Sequence, residues 1–224
     1  MPPPIPTPLS LTLILAATPS LGIGKNGALP WPMLKKEMAY FARVTKRVPP
    51  APPSSHSTPD APKRVNAVIM GRKTWESIPL KLRPLKDRLN VVLTRDAEKV
   101  ESGVGVAGPV VFSDIMQAIS YLRSEDVASK GVQVERAFVI GGASVYEQAL
   151  ELPETDKVLL TKIMQEYECD THFSVDLDRE KSWRVASRER LQEFVGEEVQ
   201  EGGLEEQGVG FEFFLYEKVK EGVE

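Results

Sequence analysis

The amino-acid sequence predicts an α/β fold built on a largely parallel central sheet, on three observations. Short apolar runs that favour strands alternate with segments of helical spacing along most of the chain. Two of these runs pass through glycine into a helical segment, at Gly71 and at Gly141-Gly142. The last run, Phe211–Tyr216, is too aromatic for a tail and reads as an antiparallel strand that completes the sheet.

The elements follow in order. Residues 1–8 are proline-rich, which forbids a helix and predicts a flexible start. Leu11–Ala17 reads as a buried strand ending at the turn signal Thr18-Pro19-Ser20. No positive charge precedes that strand, so it is not a signal-peptide core, and it is too short to span a membrane. The stretch Gly22-Ile23-Gly24-Lys25-Asn26-Gly27 runs into Leu29-Pro30-Trp31-Pro32 rather than into a helix, and reads as a mobile loop covering a site. Leu34, Glu37, Met38, Phe41 and Val44 then fall at helical spacing. Glu37 therefore sits inside an apolar stripe, where the ordinary alternative is a glutamate at the stripe's edge that reaches water.

Residues 46–63 alternate prolines with serines and read as a surface insertion. Neither side is large enough to fold alone, so residues 1–224 form a single domain. Beyond the insertion, Val65–Met70, Leu89–Thr94, Arg136–Ile140 and Val158–Met164 read as strands. Arg72–Ile78, Ser113–Arg123 and Ala143–Leu150 read as helices. An acidic, glycine-rich stretch separates Trp183–Glu189 from Phe211–Val219.

Composition narrows the function. Of 224 residues, 42% are hydrophobic and 27% charged, which excludes a disordered chain and a membrane bundle. The net charge of −4 does not drive the whole protein onto nucleic acid or anionic lipid. Residues 63–95 nevertheless hold 9 basic and 2 acidic side chains, as a small polyanionic ligand such as a nucleotide phosphate would need. A solvated surface is the plainer explanation for that cluster taken alone. The single cysteine, Cys169, excludes an internal disulfide, points to a reducing compartment and leaves no cluster for a metal.

The motifs decide between these readings. In a parallel sheet, both glycine junctions open at the carboxyl edge, where helix N-termini aim N–H groups at a ligand. Arg72, Lys73 and Thr74 add two charges and a hydroxyl at the first junction. Two junctions and a basic cluster favour a bound dinucleotide, although neither the Rossmann fingerprint nor a P-loop is present. His56 and His172 form no nucleophilic triad and Cys169 has no activating neighbour, which argues against covalent hydrolysis.

Taken together, Gly22–Trp31, the Glu37 helix, Met70–Pro79, Leu93-Thr94-Arg95, Ile140–Tyr146 and Asp170-Thr171-His172-Phe173 resemble the dihydrofolate reductase family. The blocks stand in the family's order and cover nearly the whole chain except residues 1–8 and 46–63. The resemblance implies a mixed, mainly parallel eight-stranded sheet flanked by helices. It implies hydride transfer from NADPH to C6 of 7,8-dihydrofolate with a proton added at N5, in a monomeric, cytoplasmic enzyme. The product would feed one-carbon metabolism for thymidylate, purine and amino-acid synthesis, and antifolate inhibitors would be ligands. No metal, membrane or nucleic acid is called for.

Residue by residue, the resemblance makes Glu37 the ionisable group of the pteridine pocket. Thr161 supports its carboxylate and Trp31 holds an ordered water nearby. Ile14, Leu15, Met38, Phe41, Ile78, Leu85 and Ile140 match the pocket walls, and Arg88 matches the arginine that pairs with the substrate's glutamate carboxylate. For NADPH, the matching residues near the nicotinamide are Ala16 and the loop of Gly22, Ile23, Gly24, Lys25, Asn26, Gly27 and Leu29. At the phosphates and adenosine they are Gly71, Arg72, Lys73, Thr74, Leu93, Thr94 and Arg95. The helix junction contributes Ile140, Gly141, Gly142, Ala143, Ser144, Val145 and Tyr146, with Gly141-Gly142 as a cis pair. Where some relatives place a further arginine, this sequence reads Phe112-Ser113-Asp114. Two alternatives share enough features to be weighed. One is the reductase of riboflavin synthesis, against which the Trp31–Glu37 block and Arg88 speak. The other is a non-catalytic nucleotide- or RNA-binding relative, against which the intact Glu37, Thr161 and Gly-Gly set speaks.

Overall fold

Strands form where the sequence places its β-branched and aliphatic runs. The computed structural model describes residues 9–50, 61–100 and 108–219. Its strands are β1 (Leu11–Ala17), β2 (Gly22–Gly24), β3 (Lys63–Gly71), β4 (Arg88–Leu93), β5 (Val110–Phe112), β6 (Val132–Val139), β7 (Thr155–Ile163), β8 (Thr171–His172), β9 (Trp183–Val185), β10 (Leu204–Glu206) and β11 (Val209–Lys218). Its α-helices are α1 (Lys35–Lys46), α2 (Arg72–Ser77), α3 (Ile115–Leu122), α4 (Glu125–Ser129), α5 (Ala143–Leu150) and α6 (Arg188–Val195).

The main sheet runs β10–β11–β7–β1–β6–β3–β4–β5, eight positions wide, with β9 and β10 sharing the outer edge of β11. All pairings from β7 to β5 are parallel, and β11 is antiparallel to β7. The expected mixed, mainly parallel eight-stranded sheet with an antiparallel C-terminal strand is borne out. Strand alternation sends β1 side chains to two cores. Leu11, Leu13 and Leu15 pack with α3 and α5, and Ile14 packs with α1, α2 and α6 on the other face.

Several details depart from the sequence reading. The acidic stretch after Glu189 is not a plain connection, because it holds α6 and β10. Ser187 caps α6 by accepting from the Arg190 N–H, and Gly196 ends it in the left-handed region at φ 69°. Leu191 and Val195, four residues apart, bury the face of α6 that the charges around them conceal in the sequence. The expected helix Ser113–Arg123 is shorter, with Asp114 as its N-cap, and α4 follows as a separate turn. The start at residues 1–8 and most of the 46–63 insertion lie outside the described residues. The ends of the insertion match, since α1 stops at Lys46 and β3 begins at Lys63.

α1 stops where Asn66 meets it. The Asn66 Nδ2 donates to the Thr45 and Arg47 carbonyls at 3.0 Å, satisfying oxygens that have no partner within the helix. The strand register then gathers the functional candidates at one edge. Ala16 of β1 lies beside Thr161 of β7, and Leu13 beside Val139, the last residue of β6. Gly71 ends β3 next to Leu93 of β4.

Phe138 lies at the centre of this sheet with no solvent exposure. Phe138→Ala is expected to cost about 3–5 kcal/mol, the range for removing a buried aromatic ring. Urea unfolding followed by fluorescence measures this.

Candidate active site

The carboxyl edge of β1 and the buried face of α1 enclose Glu37. The helix turns the side chains of Leu34, Glu37, Tyr40 and Val44 inward, each nine-tenths or more buried. Spacing predicted Glu37 on this face, but Tyr40 takes the place expected for Met38, which is 43% exposed. Tyr40 wins because its ring stacks on Phe213 of β11, with centroids 3.8 Å apart. Glu37 is thus not a glutamate reaching water at the edge of a stripe. Burial pushes its carboxyl up to about 7, against the opposing pull of one hydrogen bond from Thr161. The Thr161 Oγ1 donates to Glu37 Oε1 at 3.3 Å.

Apolar groups surround this carboxyl. Ile14 and Trp31 are buried in the same core, against which Ala16, Phe41, Ile78, Leu85 and Ile140 also pack. Trp31 meets Tyr167 edge-on at 6.1 Å. Leu15 does not join them. Alternation along β1 sends its side chain into the opposite core, so the expectation that it walls this pocket is corrected.

Arg88 opens β4 near the far end of α1. Its Nη1 donates to Thr45 Oγ1 at 2.7 Å, its Nε donates to the Lys86 carbonyl at 3.1 Å, and its guanidinium lies 6.0 Å from the Phe41 ring centroid. Among the described residues no carboxylate pairs with it. Burial lowers its pKa to about 10, partly offset by Asp87. A desolvated guanidinium with free donors is a receptor for a carboxylate.

The two glycine junctions meet. The Gly71 N–H donates to the Gly141 carbonyl at 2.8 Å, and the Gly141-Gly142 peptide is cis. A Cβ on Gly141, at φ 105°, would strike the Tyr146 ring at 3.2–3.3 Å, and one on Gly71 would press Val145 at 3.2 Å. The Tyr146 hydroxyl donates to the Ile14 carbonyl at 2.9 Å, which ties α5 to β1. Neither α2 nor α5 has a side-chain cap, so the first N–H groups of α5, at Ala143 and Ser144, are free of one. Thr74 lies across from Gly142, 3.6 Å from where its Cβ would stand. Lys73, Arg95 and Ser144 are exposed beside these junctions, while Arg72 is ion-paired to Glu76 one turn on. Thr94 Oγ1 accepts from the Asp96 N–H at 3.1 Å, and Leu93 is buried below.

The loop after β1 is more structured than expected. Gly22–Gly24 pairs with Thr171–His172 as a second, two-stranded sheet. Asn26 and Gly27, both at positive φ, turn a tight hairpin closed by paired hydrogen bonds between Lys25 and Ala28. Asp170 accepts from the Asn26 N–H at 2.7 Å, which holds its carboxyl below the usual range, and Lys25 pairs with Glu168. A Cβ on Gly22 would stand 2.3 Å from Cys169 Sγ, so glycine is needed there. Leu29 extends beyond the hairpin, 48% exposed. Sequence reasoning missed Thr45 and Asp170 as supports. The Asn-Gly pair was a readable turn signal and Asp170 stood in a recognised block without a role, whereas nothing local marks Thr45.

Fold and site together define an α/β enzyme with a buried titratable carboxylate and glycine-lined helix junctions at the same sheet edge. A family model described as dihydrofolate reductase matches residues 63–200. The chain is 41% identical to the dihydrofolate reductase of Pneumocystis carinii over 92% of its own length and 96% of that protein. It is 38% identical to the rat enzyme of the same name, covering 93% and 97%. The solved Schistosoma mansoni dihydrofolate reductase superposes with a TM-score of 0.69 at 31% identity, covering 95% of this chain and all of that one. The chain belongs to the dihydrofolate reductase family.

The raised Glu37 carboxyl makes stability depend on pH. The folded protein holds a proton between pH 4.5 and about 7 that the unfolded chain releases. The penalty is therefore absent below 4.5, grows as pH rises and is complete above about 7. Glu37→Gln removes it. The variant should gain about 2–3 kcal/mol on wild type between pH 4.5 and 8. Paired urea titrations at the two pH values measure the gain.

Proposed function

We propose that the protein reduces 7,8-dihydrofolate to 5,6,7,8-tetrahydrofolate with NADPH, hydride going to C6 and a proton to N5. Glu37 carries this reading. It is a carboxyl in an apolar pocket whose protonation changes near neutral pH, at the edge where the glycine junctions converge. A general acid or base works best when its pKa lies close to the working pH.

The chain's own residues fit the cofactor. Gly142 leaves its backbone open toward Thr74, the N-terminus of α5 offers free N–H groups, and Arg72, Lys73 and Arg95 supply cations for phosphate. NADPH supplies the hydride when bound, and the protein's task is alignment and one proton. On this reading the Gly22–Leu29 hairpin and Ala16 flank the nicotinamide.

Glu37 holds the pterin through its 2-amino and N3 groups. An ionised carboxylate gains two donors there in addition to Thr161, its one side-chain partner among the described residues. The same negative charge favours the substrate protonated at N5. Trp31 and Phe41 exclude bulk water, which strengthens that attraction. Arg88, unpaired by any carboxylate among the described residues, takes the glutamate tail. A cytoplasmic location and a monomeric state belong to the same proposal, and the single free cysteine agrees with a reducing compartment.

Glu37→Gln keeps the shape of the side chain and abolishes its ionisation. Turnover at neutral pH is expected to fall by ~10²–10⁴, the usual worth of acid–base assistance, and to recover in part at low pH. NADPH affinity should hold. Single-turnover hydride transfer across pH tests this, and a wild-type rate at neutral pH would remove Glu37 from the mechanism.

A further inference from the structure

Arg88 serves better as a carboxylate receptor when its guanidinium is fixed before the ligand arrives, because less ordering is left to binding. Part of that fixing is visible in its own contacts with Thr45 and the Lys86 carbonyl. Those contacts leave open what fixes the backbone from which Arg88 projects. The segment Leu85–Arg88 leads into β4 through Asp87, which has positive φ, and both Lys86 and Asp87 are exposed. The Lys46–Asp87 ion pair, the β3 pairing that begins at Arg88 and the packing of Leu85 hold this turn in part, and none of them ties Leu85 to Arg88.

Asn90 supplies the missing constraint. It is the third residue of β4, 4% exposed, and its side chain turns back onto the turn that precedes it. Its Oδ1 accepts from the Leu85 N–H at 2.9 Å, and its Nδ2 donates to the Leu85 and Arg88 carbonyls, both at 2.9 Å. One buried amide thus satisfies both backbone groups of a pocket-wall residue and the carbonyl of the arginine.

We propose that Asn90 is a positioning residue for substrate binding, which locks Leu85 and Arg88 into one unit and so presets the guanidinium for the substrate's carboxylate tail. This rests on the reading of Arg88 given above. The chemistry demands an amide, since the site needs one acceptor and two donors at once. Aspartate matches the shape but sets its second oxygen against two carbonyls, and leucine matches the volume but leaves three backbone groups unsatisfied.

The experiment compares Asn90→Ala, Arg88→Ala and the double variant, with dihydrofolate and with a dihydropterin that lacks the benzoylglutamate tail. Asn90→Ala should raise the KM for dihydrofolate roughly tenfold with little change in kcat. It should leave the KM for the tail-less dihydropterin within about twofold, because that substrate has no carboxylate tail to meet Arg88. On the Arg88→Ala background the same change should add almost nothing for dihydrofolate, since the two residues act through one contact. An equal loss for both substrates, or full additivity with Arg88→Ala, would reduce Asn90 to a structural residue and overturn the proposal. Should Arg88→Ala itself leave the KM for dihydrofolate unchanged, the reading of Arg88 fails and the proposal with it. If alanine melts below the assay temperature, Asn90→Ser keeps a donor in a smaller volume and is judged by the same comparison.

Discussion

Glu37 is nine-tenths removed from water and, among the described residues, its carboxyl has a single side-chain hydrogen bond to show for it. Most of the architecture serves to keep it so. α1 must turn Glu37 inward, and the Tyr40–Phe213 stack fixes that rotation against β11. β7 must bring Thr161 beside Ala16 so that one hydroxyl reaches the carboxylate. A buried ionisable group costs stability.

The two charged groups of the site are desolvated in opposite senses. Burial raises the pKa of Glu37 and lowers that of Arg88, so each free site disfavours its own charge. A ligand with hydrogen-bond donors at one end and a carboxylate at the other relieves both. That pairing would set the orientation of such a ligand along the pocket. The glycine junctions work through backbone instead. Gly71, Gly141 and Gly142 let α2, α5 and β1 close on one another, and the Tyr146 hydroxyl ties that assembly to the Ile14 carbonyl.

Much of this was legible in the sequence because it follows from local patterns. Alternating runs marked β1, β3, β4, β6 and β7, and glycine after a strand marked both junctions. Glu37 stood out as a carboxylate among apolar residues at helical spacing. The failures have physical causes. Leu15 and Ile14 are neighbours in sequence but face opposite cores, so a motif match assigned both to one pocket. Met38 looked more core-like than Tyr40 until the ring found Phe213. α6 was hidden because its two buried residues lie in a strongly acidic stretch. Thr45, Asn90 and Asp170 act through contacts across 43, 2 to 5, and 144 residues respectively. Of these, only the Asn90 contacts are local, and an asparagine inside a strand gives no sign of which backbone it will clasp.

Burial, not a neighbouring charge, sets the proton affinity of Glu37. A direct titration of its carboxyl tests this most simply. Selective ¹³C labelling of glutamate, with Glu37→Gln to assign the resonance, reads the midpoint in the ligand-free protein. The expected midpoint is near 7. A further rise is expected in Thr161→Val, where the favourable hydrogen bond from Thr161 is gone. A midpoint near the ordinary value of 4.5 would show instead that water reaches a carboxyl that the packing should keep dry.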